Sequence, residues 1–206
     1  MQTFADRLAV IDRLEADPPL VHSLHASDET HDGVWSAQMA CYRLMAELVE
    51  PGSRTLETGL GMSTVLFAAW GCHHTCVVPY QPEVDACVDY CRTRSVPTDR
   101  LAFHVGNSEL VLPSLPADPL DLVFIDGGHG FPTALIDWFY AAGRLRQGGV
   151  VVLDDITIPS VRHGLLDFLD LDNRWKVVDR DEKWVAYERQ SAGSLSEEWS
   201  AQPFLR

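Results

Sequence analysis

From residue 55 onward the chain alternates short apolar runs with amphipathic stretches, and the apolar runs break off into glycine or carboxylate residues. Thr55-Leu56-Glu57 leads into Thr58-Gly59-Leu60-Gly61-Met62-Ser63, residues 121–125 lead into Asp126-Gly127-Gly128-His129, and residues 150–153 lead into Asp154-Asp155. Parallel strands need a long crossover, which a helix supplies, so this alternation predicts a mostly parallel sheet with helices on its faces. Residues 150–153 are apolar without interruption, as befits a strand buried on both sides. Further strands are expected at 75–78 and 101–105, and helices at 63–70, 82–93 and 133–145. Gly148-Gly149 is expected to close the last helix as a left-handed cap. Near the end, 175–178 and 183–187 are strand-like and joined by the polar segment 179–182, which predicts an antiparallel hairpin. The expected fold is α/β: a three-layer Rossmann-like sandwich, its mostly parallel sheet closed by a C-terminal antiparallel hairpin.

Three stretches divide the 206 residues. Residues 1–50 hold two N-terminal helices, at 3–16 and 35–49, separated by a His-rich loop, a lid or dimer surface. Residues 51–190 form the Rossmann domain, and 191–206 a loose tail that docks through Trp199 and Phe204. Thirty acidic against sixteen basic residues leave a net charge of −14. Such a surface repels phosphate backbones and anionic lipid, so neither nucleic acid nor membrane is an expected partner. The first residues lack the basic and apolar regions of a signal peptide, and no apolar run approaches the roughly 20 residues that span a bilayer. With an odd count of five cysteines and no need of disulfides, the chain reads as cytoplasmic.

The loop 57–63 sits where a helix N-terminus offers free N–H groups, and Gly59 and Gly61 allow the backbone to come close to a ligand. It is not a dinucleotide fingerprint, because Thr64 stands where the third glycine would fall, which ranks a nucleotide-dependent oxidoreductase last. Taken together, Glu57-x-Gly59-x-Gly61, Gly106-Asn107-Ser108, Phe124-Ile125-Asp126-Gly127-x-His129 and Gly148-Gly149-Val150 followed by Asp154-Asp155-Ile156 resemble the class I S-adenosylmethionine-dependent methyltransferases. The nearest likeness is to small O-methyltransferase families, over about residues 50–190.

The resemblance implies that Glu57, Gly59 and Gly61 belong to the loop holding the methionine end of S-adenosylmethionine, with Met62 and Ser63 over the cofactor. Asn107 and Ser108 take the adenine side, and Asp126 lines the methyl-transfer site. It also exposes a departure. The family's second strand ends in an acid that binds both ribose hydroxyls, whereas this chain has Val78-Pro79-Tyr80-Gln81 there. Gln81, Glu83 or Tyr80 are the candidate substitutes. Metal-dependent relatives carry an Asp after the fourth strand and an Asp pair after the fifth, which marks Asp126, Asp154 and Asp155 as ligands for Mg2+ or another divalent cation. The bland alternative is that these residues only cap turns.

His129 is the candidate general base, with holding the Asp126 turn as its alternative role. His22, His25 and His31 are candidates for a lid, and Trp35 for substrate contact. Cys72-His73-His74-x-Cys76 and Cys87-x3-Cys91 lack the usual zinc spacing and read as buried structural residues. The function expected is methyl transfer to a small-molecule acceptor, at oxygen. The alternative is a non-catalytic binding module on the same fold with a degenerate cofactor site.

Overall fold

The computed structural model describes residues 2–22, 35–191, 194–195, 200 and 202–205. His25, His31 and Trp199 lie outside these, as does the side chain of Phe204. The elements in order are α1 (Phe4–Ala16), α2 (Met39–Leu48), β1 (Arg54–Thr58), α3 (Met62–Ala69), β2 (His73–Val78), α4 (Gln81–Thr93), β3 (Leu101–Val105), α5 (Ser108–Val111), β4 (Leu120–Ile125) and α6 (Thr133–Asp137). After them come β5 (Leu145–Leu153), α7 (Pro159–Val161), which passes through a π-helical segment (Arg162–Leu166) into α8 (Asp167–Leu169), and the strands β6 (Trp175–Arg180) and β7 (Val185–Arg189).

One seven-stranded sheet runs β3-β2-β1-β4-β5-β7-β6. Its first five strands are parallel, and β7 pairs antiparallel with both β5 and β6, closing the sheet with the expected hairpin. Because strand side chains alternate, the sheet feeds two cores. Cys76, Val78, Phe124, Val152 and Trp184 pack on one face with α3, α4 and the N-terminal helices. Leu56, Val77, Val123, Ile125, Val151, Leu153 and Tyr187 pack on the other with Leu112, Ala134, Ala141 and Leu165.

The N-terminal helices join the first of these cores. Thr3 and Asp6 form a reciprocal cap that starts α1, and the helix buries Val10, Ile11 and Leu14. Arg7, buried with them, donates from Nε to Ala46 O (2.8 Å) on α2, and Trp70 Nε1 donates to Arg7 O (3.2 Å). Tyr42 on α2 accepts the Ala37 N–H (2.9 Å), which holds the chain beside Trp35 and Ser36 in place.

Two boundaries correct the sequence reading. The helix expected to reach residue 145 is α-helical only to Asp137, continues as a π-helical segment (Trp138–Ala142) and stops there, because β5 already begins at Leu145. The pairing of β5 with β4 jumps between Leu120 and Leu122, and Gly148, with φ +77°, absorbs that irregularity within the strand rather than capping a helix. The helical stretch beginning at Pro159 had no counterpart in the sequence reading.

Candidate active site

The ends of β1, β2, β4 and β5 open into a cavity of about 740 Å3, within the range of small-molecule sites. Gly59, Leu60, Val78, Pro79, Tyr80, Glu83, Asp126, Gly127, His129, Asp154 and Asp155 line it, together with His22, Trp35, Ser36 and Lys183. It lies at the carboxyl edge of the sheet, where open α/β sheets bind ligands.

Its floor is the contact between two loops. Gly59 has φ +97°, and a Cβ there would sit 2.4 Å from the Asp126 carbonyl oxygen, so no other residue fits without displacing the β4 loop. Gly127 meets the same junction from the other side, a Cβ there falling 3.1 Å from the Thr58 carbonyl carbon. Gly61 is different: its backbone is extended, and its neighbours are the Trp35 carbonyl oxygen and His22 Nε2 at ordinary contact distance.

Glu57 does not border the cavity. It is buried beneath the loop, accepting from Thr64 Oγ1, which in turn accepts the Gly61 N–H (3.1 Å). His74 lies alongside, its Nδ1 2.8 Å from Thr55 Oγ1 and its Nε2 3.0 Å from Glu57 Oε1, with its ring stacked on Phe67 at 4.6 Å. Cys76 donates from Sγ to Gly59 O (3.1 Å). Thr64, the residue that breaks the glycine pattern, and the buried His74 thus brace the loop from below. Parallel pairing explains the cluster: Thr55 lies opposite His74 and Glu57 opposite Cys76, so all four share one neighbourhood of β1 and β2.

Of the other cofactor candidates, Met62 and Ser63 are buried in the first turn of α3, the helix that leaves the loop. Ser108 opens α5 half-buried, with the exposed Asn107 as its N-cap, and neither lines the cavity. Gln81 is exposed and donates to Asp85 Oδ1 (2.8 Å), pointing its amide along the helix surface. Glu83, two residues on, is buried, lines the cavity and lies 3.3 Å from His22 Nδ1. His22 stacks on Trp35 with ring centroids 4.8 Å apart.

The three aspartates at the β4 and β5 ends divide into a pair and a single. Burial first, and then the carboxylates of Asp154, Glu57 and Asp155, push Asp126 well above the usual carboxylate range, and burial pushes Asp154 upward as well. Asp154 Oδ1 is buried with no hydrogen-bond partner among the described residues. Asp155 is held in the left-handed region (φ +51°) and turns elsewhere, its carboxylate 3.4 Å from His129 Nδ1 and 3.7 Å from Lys183 Nζ. Among the described residues no three Asp, Glu, His or Cys side chains converge as a metal cluster. The carboxyl groups of Asp126 and Asp154, the latter with an acceptor unmet among the described residues, offer oxygen donors for part of the shell of a hard cation; the third expected ligand faces His129.

His129 Nε2 is likewise buried without a partner among the described residues. Burial lowers the His129 pKa from its ordinary 6.5, opposed by Asp155 and aided by Lys183, so the ring is neutral near pH 7. Ser160 Oγ donates to the His129 carbonyl and fixes the loop. The five cysteines are all buried with no disulfide among them, and burial pushes the Cys72 thiol up to about 12.

Residues 56–156 match a family described as a methyltransferase domain. Catechol O-methyltransferase of Mycobacterium tuberculosis is 33% identical over 146 residues, covering 68% of this chain and 66% of that protein. The chain belongs to the class I S-adenosylmethionine-dependent methyltransferases. The matched region spans just under two thirds of that relative's length. The fold agrees with solved O-methyltransferases. TomG of Streptomyces achromogenes, involved in tomaymycin synthesis and solved with S-adenosylmethionine, superposes with a TM-score of 0.68 at 15% identity, covering 88% of this chain and 90% of that one. An O-methyltransferase of Bacillus cereus, solved with S-adenosylhomocysteine, gives 0.62 at 15% identity, covering 88% and 91%. In this chain the glycine loop and the carboxylates of β4 and β5 meet in one cavity.

Proposed function

We propose that the protein transfers the methyl group of S-adenosylmethionine to a hydroxyl oxygen of a small molecule. The observation that carries this reading is the His129–Asp155 pair: its histidine lines the same cavity as the glycine loop, and Nε2 has no hydrogen-bond partner among the described residues. Asp155 beside Nδ1 favours the tautomer with its proton there, which leaves Nε2 as the acceptor. The relative named for catechol methylation supports an oxygen acceptor of that class. Five unpaired buried thiols suit a reducing compartment, in keeping with a cytoplasmic enzyme.

The bound cofactor supplies an electrophilic methyl sulfonium. His129 Nε2 takes the acceptor's hydroxyl proton, the oxygen–carbon bond forms as the carbon–sulfur bond breaks, and neutral S-adenosylhomocysteine departs. Trp35 and Tyr80, both about half exposed, flank the mouth and offer flat apolar surface to an aromatic acceptor. What the protein contributes is mainly alignment of the oxygen with the methyl group and exclusion of water.

A second reading of the activation step rests on the unmet Asp154 Oδ1. A divalent cation held by Asp126 and Asp154 would lower the acceptor's pKa as a Lewis acid. S-adenosylhomocysteine release with a panel of small phenols and alcohols, before and after chelation and with magnesium restored, separates the two. Activity that survives chelation places the proton on His129; activity lost and recovered assigns the step to the cation. Asp126→Ala is expected to abolish turnover and keep the fold, and a fully active variant would overturn the site.

A further inference from the structure

We propose that β6 is a self-pairing edge, through which two copies of this chain join their sheets antiparallel about a two-fold axis between Val177 and Val178.

β6 is the last strand of the sheet, and among the described residues no strand pairs with its outer side. An open edge presents unpaired N–H and C=O groups, a template for another strand. Residues 176–180 are all exposed, Val177 and Val178 among them. The run Trp175-Lys176-Val177-Val178-Asp179-Arg180 thus offers an apolar centre with a positive charge on one side and a negative charge on the other.

A bulge lets those charges meet. On a regular strand, residues three apart face opposite sides of the sheet. Here the pairing with β7 passes from Val177, opposite Tyr187, to Asp179, opposite Ala186, and Val178 is the extra residue. Lys176 lies opposite Glu188, two residues from Ala186 on β7, so Lys176 and Asp179 share one face. Trp175 and Arg180, opposite Arg189 and Val185, share the other. Turning a second copy about an axis perpendicular to the sheet keeps the faces and reverses the strand. Lys176 then lies opposite the second copy's Asp179, and the valines meet at the axis. Each such contact occurs twice, as in any isologous interface.

Charge selects a second copy as the occupant. Among the described residues neither Lys176 nor Asp179 joins an ion pair, whereas the neighbouring Arg180 is held by Asp170. Asp179 Oδ1 accepts the adjacent Arg180 N–H (2.8 Å). A lysine and a bulge on an edge strand ordinarily keep other strands away. A lysine matched by an acid at the symmetry-related place discriminates instead: it repels a strand with a like charge there and accepts its own copy. Phe168 and Leu171, both exposed, extend the apolar area beside the valines. Asp170 ties their segment to this face of the sheet, accepting from Tyr187 Oη (2.6 Å) and pairing with Arg180.

The test is sedimentation of the full chain over a range of protein concentrations, for wild type, Lys176→Asp, Asp179→Lys and the double variant. Both side chains are exposed, so the substitutions leave the core of each chain untouched. Wild type is expected to pass from monomer to dimer as it is concentrated. Each single reversal sets like charges opposite one another at both symmetric contacts, and should raise the dimer dissociation constant at least about tenfold. The double variant restores opposite charges and should return that constant to within about threefold of wild type. Wild type that stays monomeric overturns the proposal. So does a dimer whose dissociation constant the single reversals leave within about twofold, since its contact then lies elsewhere. Losses that add in the double variant, rather than cancel, overturn the pairing of Lys176 with Asp179 and the proposal with it.

Discussion

Asp126 holds the sharpest electrostatic conflict in the site. Its carboxyl is pushed well above its ordinary 3.8 by burial and then by Asp154, Glu57 and Asp155. Between 3.8 and the raised value the folded state binds more protons than the unfolded one, so stability must fall as pH rises from the acid side. Asp126→Asn removes that slope: thermal melts at several pH values should show the variant gaining on wild type toward neutrality, and a gain that does not grow with pH contradicts the conflict. Of these residues, Asp126, Asp154, Asp155 and His129 are visible in sequence because all lie within four residues of a strand's end. The role of Asp155 is not, since only its left-handed backbone reveals that it turns to His129 and Lys183. Nor is the Glu57–Thr64–His74 cluster, which depends on which residues of β1 and β2 lie opposite one another.

At the scale of elements, the two glycine-bearing loops behave as one part. Gly59→Ala sets a Cβ against the Asp126 carbonyl at a positive φ. It should cost about 1–3 kcal/mol in denaturant unfolding and weaken cofactor binding with it; an unchanged midpoint would mean the loops give way freely. On α2, Tyr42→Phe leaves the buried Ala37 N–H without its acceptor. A loss of about 1–3 kcal/mol is expected, and one near zero would show that this bond does not hold the cavity wall. Strands were legible because their apolar runs are local and continuous, and the glycine loop because glycine acts through its own backbone. The end of the helix before β5 was not legible. Amphipathic spacing continues past Ala142, but the pairing of Leu145 with Leu120 claims the chain for the sheet.

Across the whole molecule the net charge is −14, and among the described residues the cavity lining holds four acidic side chains and one lysine. At a net charge of −14, an anionic acceptor is repelled and a neutral one is not. The KM for an anionic hydroxyl acceptor should therefore fall as salt rises from low ionic strength, with that of a neutral acceptor unchanged; equal salt dependence would count against the field. The N-terminal helices complete this arrangement, since α1 and α2 share a core with α3 and carry His22 and Trp35 to the rim. Sequence pattern pointed to those residues as a covering layer, but the pairing of His22 with Glu83 spans 61 positions and arises only from packing.

The most direct test of the account is the pH profile of kcat/KM for a neutral hydroxyl acceptor, in wild type and in His129→Gln. The account predicts an acidic limb below the ordinary histidine value of 6.5, because burial lowers His129. In His129→Gln that limb should vanish, with the rate reduced about 10²–10⁴-fold and S-adenosylhomocysteine affinity retained. A variant as fast as wild type, with the limb still in place, would contradict His129 as the base and the reading of the cavity built on it.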